Sequence, residues 1–293
     1  ERAAGCRDIA RQLVEFSAGD GIEVMLGGGR SRFLPASSGG IRQDERDLVA
    51  EWRARYRDGR HAADREGLAA ADRAGARRIL GLFAEGHMSF AAERDPDAEP
   101  SLKDMTETAI RTLARSERGY FLLVEGGRID HAHHDNNAAR ALDEGVELAK
   151  AVAAADAMTD DSDTLILVTA DHSHTFVIGG YPTRGNPILG LVVENDRRGE
   201  AAEAPARAGD GKPYTSLGYY IGPGATVDAP RAELSEEEAT DREHRQQAAV
   251  PLTSGSHGGE DVAAFAKGPH ADRLGGVIEQ NELYRIMRDA LGL

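Results

Sequence analysis

The sequence predicts an α/β fold built on a parallel sheet, and three consecutive segments carry that prediction. Residues 120–125 (YFLLVE) form a continuous apolar run, typical of a strand buried on both faces. Residues 131–158 follow as a long alanine-rich helix, and residues 164–170 (TLILVTA) form a second buried strand. A strand, a helix and a strand in this order make a βαβ unit, whose two strands run parallel.

Weaker patterns predict the remaining elements. Ser101 is the expected N-cap of one of the helices, because its hydroxyl can accept a hydrogen bond from a free backbone N–H. The predicted helices cover 6–16, 44–56, 101–117 and 278–291, and the predicted strands cover 22–26, 78–83, 214–220 and 262–268. A change of composition divides the chain into an α/β core over 1–194, an acidic surface insertion over 195–250 and a return to the core over 251–293.

Composition excludes several classes of function. The net charge of -15 argues against nucleic-acid binding, which needs basic patches. The same charge would repel an anionic substrate, so a phosphate site would need bound divalent cations to reverse the local sign. No apolar run is long enough to span a bilayer, so we expect no transmembrane segment. The chain starts at Glu1, as a mature product or a fragment would, and its single cysteine, Cys6, allows no internal disulfide.

A first group of candidate ligands lies where the predicted strand 120–125 gives way to the long helix. Glu125 ends the strand, at the edge where open α/β sheets bind ligands. Asp130 and His134 are four residues apart. If the helix has begun by Asp130, both side chains lie on one face, one turn apart, as two ligands of one metal ion require.

Two further groups follow along the chain. Asp171 and His172 end the second buried strand, with His174 two residues on, and His257 lies in a glycine-rich loop before the strand at 262. A carboxylate beside an imidazole offers a mixture of donors that suits zinc. Each group alone is compatible with ordinary polar surface. Their joint occurrence at the ends of strands in one βαβ unit indicates metal binding.

The same segments resemble the alkaline phosphatase family. Residues 124–135 (VEGGRIDHAHHD), 168–191 (VTADHSHTFVIGGYPTRGNPILGL) and 256–271 (SHGGEDVAAFAKGPHA) are similar to three of its motifs, in the same order. The resemblance implies a three-layer α/β/α fold with a mostly parallel central sheet, incomplete in this chain. It also implies that 195–250 is the family's crown region, which lies at the dimer interface. A homodimer in the periplasm or secreted from the cell is therefore expected.

The resemblance also implies a role for each candidate ligand. Asp130, His134 and His257 would hold one zinc ion, Asp171 and His172 the second, and Glu125 a magnesium ion. His174 would lie beside the metals without binding them. The substrate would be a phosphate monoester, hydrolysed through a phosphoserine.

The family's nucleophilic serine and phosphate-binding arginine belong to its N-terminal half, and their motifs do not occur here. The resemblance gives Ser173 no nucleophilic role. We therefore expect no catalytic residue in this chain and little or no activity from it alone. Ala84 stands where a calcium-binding glutamate would be expected, so no calcium site is predicted. Cys6 matches a position that in some members pairs with an upstream cysteine.

Three alternatives remain open at this point. The chain could belong to a related phosphodiesterase, sulfatase or phosphoglycerate mutase of the same superfamily, which share parts of the metal site. It could be an inactive metal-binding fragment. It could also be a generic α/β domain whose histidines bind nothing, in which case zinc would not stabilise it.

Overall fold

The computed structural model describes residues 7–227 and 229–293, so Cys6 lies outside the described residues. The helices are α1 (Ile9–Glu15), α2 (Leu48–Arg55), α3 (Arg65–Arg73), α4 (Leu102–Leu113), α5 (Arg128–His134), α6 (Ala138–Met158), α7 (Glu236–Thr240) and α8 (Asn281–Ala290). The strands are β1 (Val24–Gly27), β2 (Arg60–Ala62), β3 (Ile79–Leu82), β4 (Ile166–Val168), β5 (Ser173–His174), β6 (Phe176–Ile178), β7 (Leu217–Gly222), β8 (Ala248–Pro251), β9 (His257–Gly258) and β10 (Phe265–Lys267). None of these helices is long and apolar enough to cross a membrane.

A three-stranded parallel sheet, in the order β1-β3-β2, confirms the predicted α/β class. All four residues of β3 are buried. Because successive side chains of a strand point to opposite faces, Leu80 packs with α1 and α2, whereas Ile79 packs with α3. Trp52 of α2 is completely buried on the first of these faces. Helices therefore cover both faces of this sheet.

The prediction of a buried strand over 120–125 is wrong. These residues belong to no strand of the structure, and Phe121 and Leu123 are 60% and 78% exposed. The second strand of the predicted βαβ unit is reduced to β4, which pairs antiparallel with β10. An apolar run becomes a buried strand only where a neighbouring strand satisfies its backbone groups, and no strand of the described residues lies beside 120–125.

The single helix predicted over 131–158 is two helices, α5 and α6. Asn136 separates them with a left-handed backbone (φ 53°), a conformation that asparagine tolerates better than most residues. The side chain of Asn137 then caps α6 by accepting a hydrogen bond from the backbone N–H of Arg140. Since α5 begins at Arg128, the expectation that Asp130 and His134 share one helical turn is confirmed.

A second, mixed sheet has the order β6-β7-β8. Strand β7, predicted as 214–220, pairs antiparallel with β6 and parallel with β8. No counterpart among the predictions exists for strands β2, β5, β6, β8 and β9 or for helices α3 and α7. The other predicted helices and strands are present with shorter bounds, and Ser101 caps α4 as expected. The division of the chain at 194 and 250 stays a prediction.

Candidate metal centre

Three short elements bring the candidate ligands together. Helix α5 carries Asp130 and His134, and the two-residue strands β5 and β9 pair so that His174 lies directly opposite His257. Gly255 lies in the loop just before β9 and connects that loop to the end of α5 by a hydrogen bond. Its N–H donates to the carbonyl of His134 at 2.7 Å, and a Cβ at Gly255 would stand only 2.7 Å from the carbonyl oxygen of His133. Glycine is therefore required for the close approach.

The resulting cluster has the composition of a metal site. Asp130, His172, His174 and His257 can each offer one ligand atom such that all four atoms lie within 4.8 Å of one another. His134 joins the same cluster, because its Nε2 lies 3.4 Å from Asp130 Oδ1 and 3.3 Å from His257 Nε2. The imidazole rings of His172 and His257 stack at 3.6 Å between centroids. One side of the cluster is open to solvent, where the side chain of His257 is 51% exposed.

Hydrogen bonds at Nδ1 of His134 and of His172 leave the Nε2 atom of each ring free to bind a cation. His134 Nδ1 lies 2.7 Å from the carbonyl oxygen of Gly255, and His172 Nδ1 lies 3.0 Å from that of Ser173. A carbonyl can only accept, so each Nδ1 carries the proton and each Nε2 of the neutral ring keeps its lone pair. Both Nε2 atoms face Asp130, at 3.4 Å and 3.8 Å from Oδ1. Histidine ligands of metals commonly have this arrangement, and the donor set fits zinc.

His174 plays a different part. Its Nε2 lies 2.6 Å from Asp130 Oδ1, within hydrogen-bonding distance, so the ring donates a proton there and has no lone pair to offer on that side. Burial opposes ionisation of the Asp130 carboxyl, but the hydrogen bond from His174 and the nearby imidazoles hold its pKa below the usual value. Burial lowers the pKa of His174 itself. These contacts favour His174 as a hydrogen-bond partner of Asp130 over a ligand of a metal ion. The expectation that His174 lies beside bound metals stays a prediction.

A residue that received no role from the sequence lies behind the cluster. His133 is neighboured by the rings of His174, Phe176 and Tyr219, at centroid distances of 5.0, 5.0 and 5.8 Å. Its Nδ1 lies 2.8 Å from the hydroxyl of Tyr219. Burial lowers the pKa of His133 to about 4, so this ring is neutral at pH 7. The motif HAHH (131–134) showed that several histidines lie close together here. It did not show which of them face the cluster and which face the protein interior.

The two remaining predicted ligands, Asp171 and Glu125, lie at different distances from the cluster. Asp171 lies at the rim, where its Oδ2 is 3.6 Å from His172 Nε2 and its side chain is 85% exposed. Glu125 lies outside the four-residue group, at the exposed end of the segment 120–125. The cluster therefore unites Asp130 with His134, His172, His174 and His257. Asp171 lies at its edge, and Glu125 lies outside it.

An α/β fold in which helix α5 and the strand pair β5-β9 bring an aspartate and several histidines together defines an α/β protein with a group of residues that could hold a metal ion. The comparisons with known proteins are more specific. The family model described as alkaline phosphatase matches residues 1–293. The chain belongs to the alkaline phosphatase family.

Individual relatives agree with this membership. The chain is 42% identical to the alkaline phosphatase of Gadus morhua, over 97% of this chain and 60% of the relative. It is 44% identical to the tissue-nonspecific isozyme of Gallus gallus, over 97% of this chain and 55% of the relative. The crystal structure of Thermus thermophilus alkaline phosphatase superposes with a TM-score of 0.66 at 26% identity, over 97% of this chain and 65% of that one. The chain thus spans rather more than half the length of the curated relatives it matches.

Proposed function

We propose that this chain provides the zinc-binding part of an alkaline phosphatase that hydrolyses phosphate monoesters. The observation that carries the proposal is the position of the Asp130 carboxylate, which lies within 4 Å of an Nε2 atom on each of four histidines. Two of those histidines are fixed by backbone carbonyls in the tautomer that a metal ligand needs.

We assign the ligands as the family resemblance implies. Asp130, His134 and His257 hold one zinc ion, and Asp171 and His172 hold a second. Glu125 contributes to a magnesium site, which draws its other ligands from outside this chain. When bound, such ions lower the pKa of an attacking hydroxyl and neutralise charge on the phosphate. They also give an acidic protein of net charge -15 a local positive site for an anionic substrate.

The surrounding residues hold the ligands in place. The carbonyls of Gly255 and Ser173 orient His134 and His172, and His174 orients the carboxylate of Asp130. Because three of the five proposed zinc ligands already have hydrogen bonds that orient them, little side-chain freedom remains to be lost when a cation binds. This preparation supports a dedicated metal site over a chance collection of polar residues.

Ser254, a serine beside the cluster, does not have the contacts of a nucleophile. Ser254 Oγ lies 3.2 Å from His134 Nδ1, but that nitrogen already donates its proton to Gly255 and cannot act as a base toward the hydroxyl. We therefore place the nucleophilic serine that forms the phosphoserine, and the arginine that binds phosphate, in parts of the enzyme outside this chain. Dimer formation and a periplasmic or secreted location are proposed on family membership alone.

Zinc titration of the chain, by competition with a chromophoric chelator, tests the proposal. We expect the unaltered chain to bind zinc, and the variant Asp130→Asn to lose at least about tenfold in affinity. Asp135→Asn is the matched control, because Asp135 lies on the exposed surface at the end of the same helix. Equal zinc affinity in the two variants would contradict the assignment of Asp130, and failure of the unaltered chain to bind zinc would contradict the proposal itself.

An activity assay tests the placement of the nucleophile. With zinc and magnesium supplied, we expect the chain to release little or no phosphate from an aryl phosphate monoester. Sustained, chelator-sensitive release would show that a nucleophile lies within this chain. Loss of that release in Ser254→Ala would then identify Ser254 as the residue.

A further inference from the structure

Strand β7 reaches the metal centre through one buried hydroxyl, that of Tyr219. Tyr219 is 4% exposed and lies opposite Phe176 in the antiparallel pairing of β6 with β7. Its hydroxyl is 2.8 Å from His133 Nδ1, which is its polar contact with α5. This hydrogen bond, which lies inside an aromatic cluster, therefore links strand β7 to the ligand-bearing helix.

The next contact leads from His133 to the centre. The ring of His133 stacks on that of His174, with centroids 5.0 Å apart and 27° between the planes. The ring of His174 in turn presents Nε2 to Asp130 Oδ1 at 2.6 Å. The Nδ1 atom of His174 is buried and has no hydrogen-bond partner among the described residues. In place of a second hydrogen bond, packing against neighbouring rings fixes the orientation of the His174 ring. Among those rings, His133 is the one whose Nδ1 meets the hydroxyl of Tyr219.

We propose that Tyr219 is a positioning residue of the metal centre: its hydroxyl fixes His133, and His133 fixes the imidazole of His174 against the carboxylate of Asp130. The inference rests on the proposed zinc-binding function and adds to it a residue from strand β7, far along the chain from any of the predicted ligands. Tyr219 touches neither metal nor substrate. Its effect reaches the cation only through the direction of the Asp130 carboxylate.

Removing the hydroxyl isolates this effect. Tyr219→Phe keeps the ring that packs on Phe176 and His133 but leaves His133 Nδ1 without its buried partner, so the His133 ring is free to turn. We expect the zinc affinity of the chain to fall by about tenfold, the lower end of the range for residues that support a metal ligand. Tyr220→Phe is the matched control, because Tyr220 is the next residue of the same strand and is 57% exposed.

Two measurements separate positioning from a loss of fold. Far-ultraviolet circular dichroism without metal should be the same for Tyr219→Phe, Tyr220→Phe and the unaltered chain. After loading with cobalt in place of zinc, the visible absorption bands report the geometry of the ligands, and we expect them to change in Tyr219→Phe only. Affinity and cobalt spectrum unchanged in Tyr219→Phe would overturn the inference while leaving the zinc site intact.

A double-mutant cycle tests whether the two residues act as one unit. His133→Phe keeps an aromatic ring beside His174 but removes the nitrogen that meets Tyr219. If the hydroxyl acts through His133, the double variant Tyr219→Phe/His133→Phe binds zinc no more weakly than the weaker of the two single variants. Losses that multiply would show that Tyr219 acts by another route and would overturn the inference. If the unaltered chain binds no zinc, the proposed function fails, and this inference fails with it.

Discussion

Asn136 joins the ligand-bearing helix α5 to the sheet β6-β7-β8, and its replacement should lower the free energy of unfolding. The residue is completely buried and has φ of 53°. Its side-chain NH2 donates to the carbonyls of His133 and Ile221, both at 3.3 Å, and its Oδ1 accepts from the N–H of Gly224 at 3.1 Å. Its own backbone carbonyl accepts from Gln246 at 2.9 Å.

Two substitutions of Asn136 separate the contribution of its side-chain hydrogen bonds to the free energy of unfolding from that of its left-handed backbone. Asn136→Gly removes the side-chain hydrogen bonds and leaves partly buried backbone groups without partners, which costs about 2 kcal/mol. Asn136→Ala has the same loss and in addition forces a β-carbon into the left-handed region, which adds about 1 kcal/mol. We therefore expect the free energy of unfolding to fall by about 3 kcal/mol in the alanine variant and by about 2 kcal/mol in the glycine variant.

Urea denaturation followed by the fluorescence of Trp52 measures both values, because Trp52 is the only tryptophan and is fully buried. Asn195→Ala, at an exposed position, is the control and should change stability by less than about 0.5 kcal/mol. A glycine variant less stable than the alanine variant would refute the role of the backbone angle. An alanine variant as stable as the control would refute the role of the hydrogen bonds.

Further stability predictions concern the parallel-sheet region and the segment 120–125. Arg42, whose side chain is 5% exposed, binds the carboxylate of Asp8, so Arg42→Ala should cost about 2 kcal/mol in urea denaturation. The hydrogen bond from Arg42 lowers the pKa of Asp8 from 3.8 to about 2. Because the folded pKa is the lower one, this stabilisation is complete above about pH 4 and is lost as the pH falls toward 2. The loss is about 1 kcal/mol after allowance for partial exposure, and unfolding curves of Asp8→Asn should not show it. Leu80→Ala should cost about 3 kcal/mol, since Leu80 is fully buried, whereas Leu123→Ala should cost less than about 0.5 kcal/mol at 78% exposure. Equal costs at the two leucines would contradict the placement of 120–125 on the surface.

Features encoded within a few residues were predictable from the sequence. The spacing of Asp130 and His134 indicated one helical turn, because side chains four apart in a helix always share a face. The hydroxyl of Ser101 marked the start of α4 for a similarly local reason. The three motifs also identified the family, which the comparisons confirmed.

The tertiary structure decided which of these local features act together. The apolar pattern of 120–125 predicted burial, but burial depends on a neighbouring strand that a pattern cannot specify, and Leu123 is exposed. The helix after it breaks at Asn136 because contacts with Ile221 and Gly224, more than 80 residues away, stabilise a left-handed backbone there. In the same way, Asp130 was predicted to be a ligand from its spacing to His134. Its union with His172 and His257, and the support of His133 by Tyr219, depend on strand pairings between distant segments that only the folded chain brings into contact.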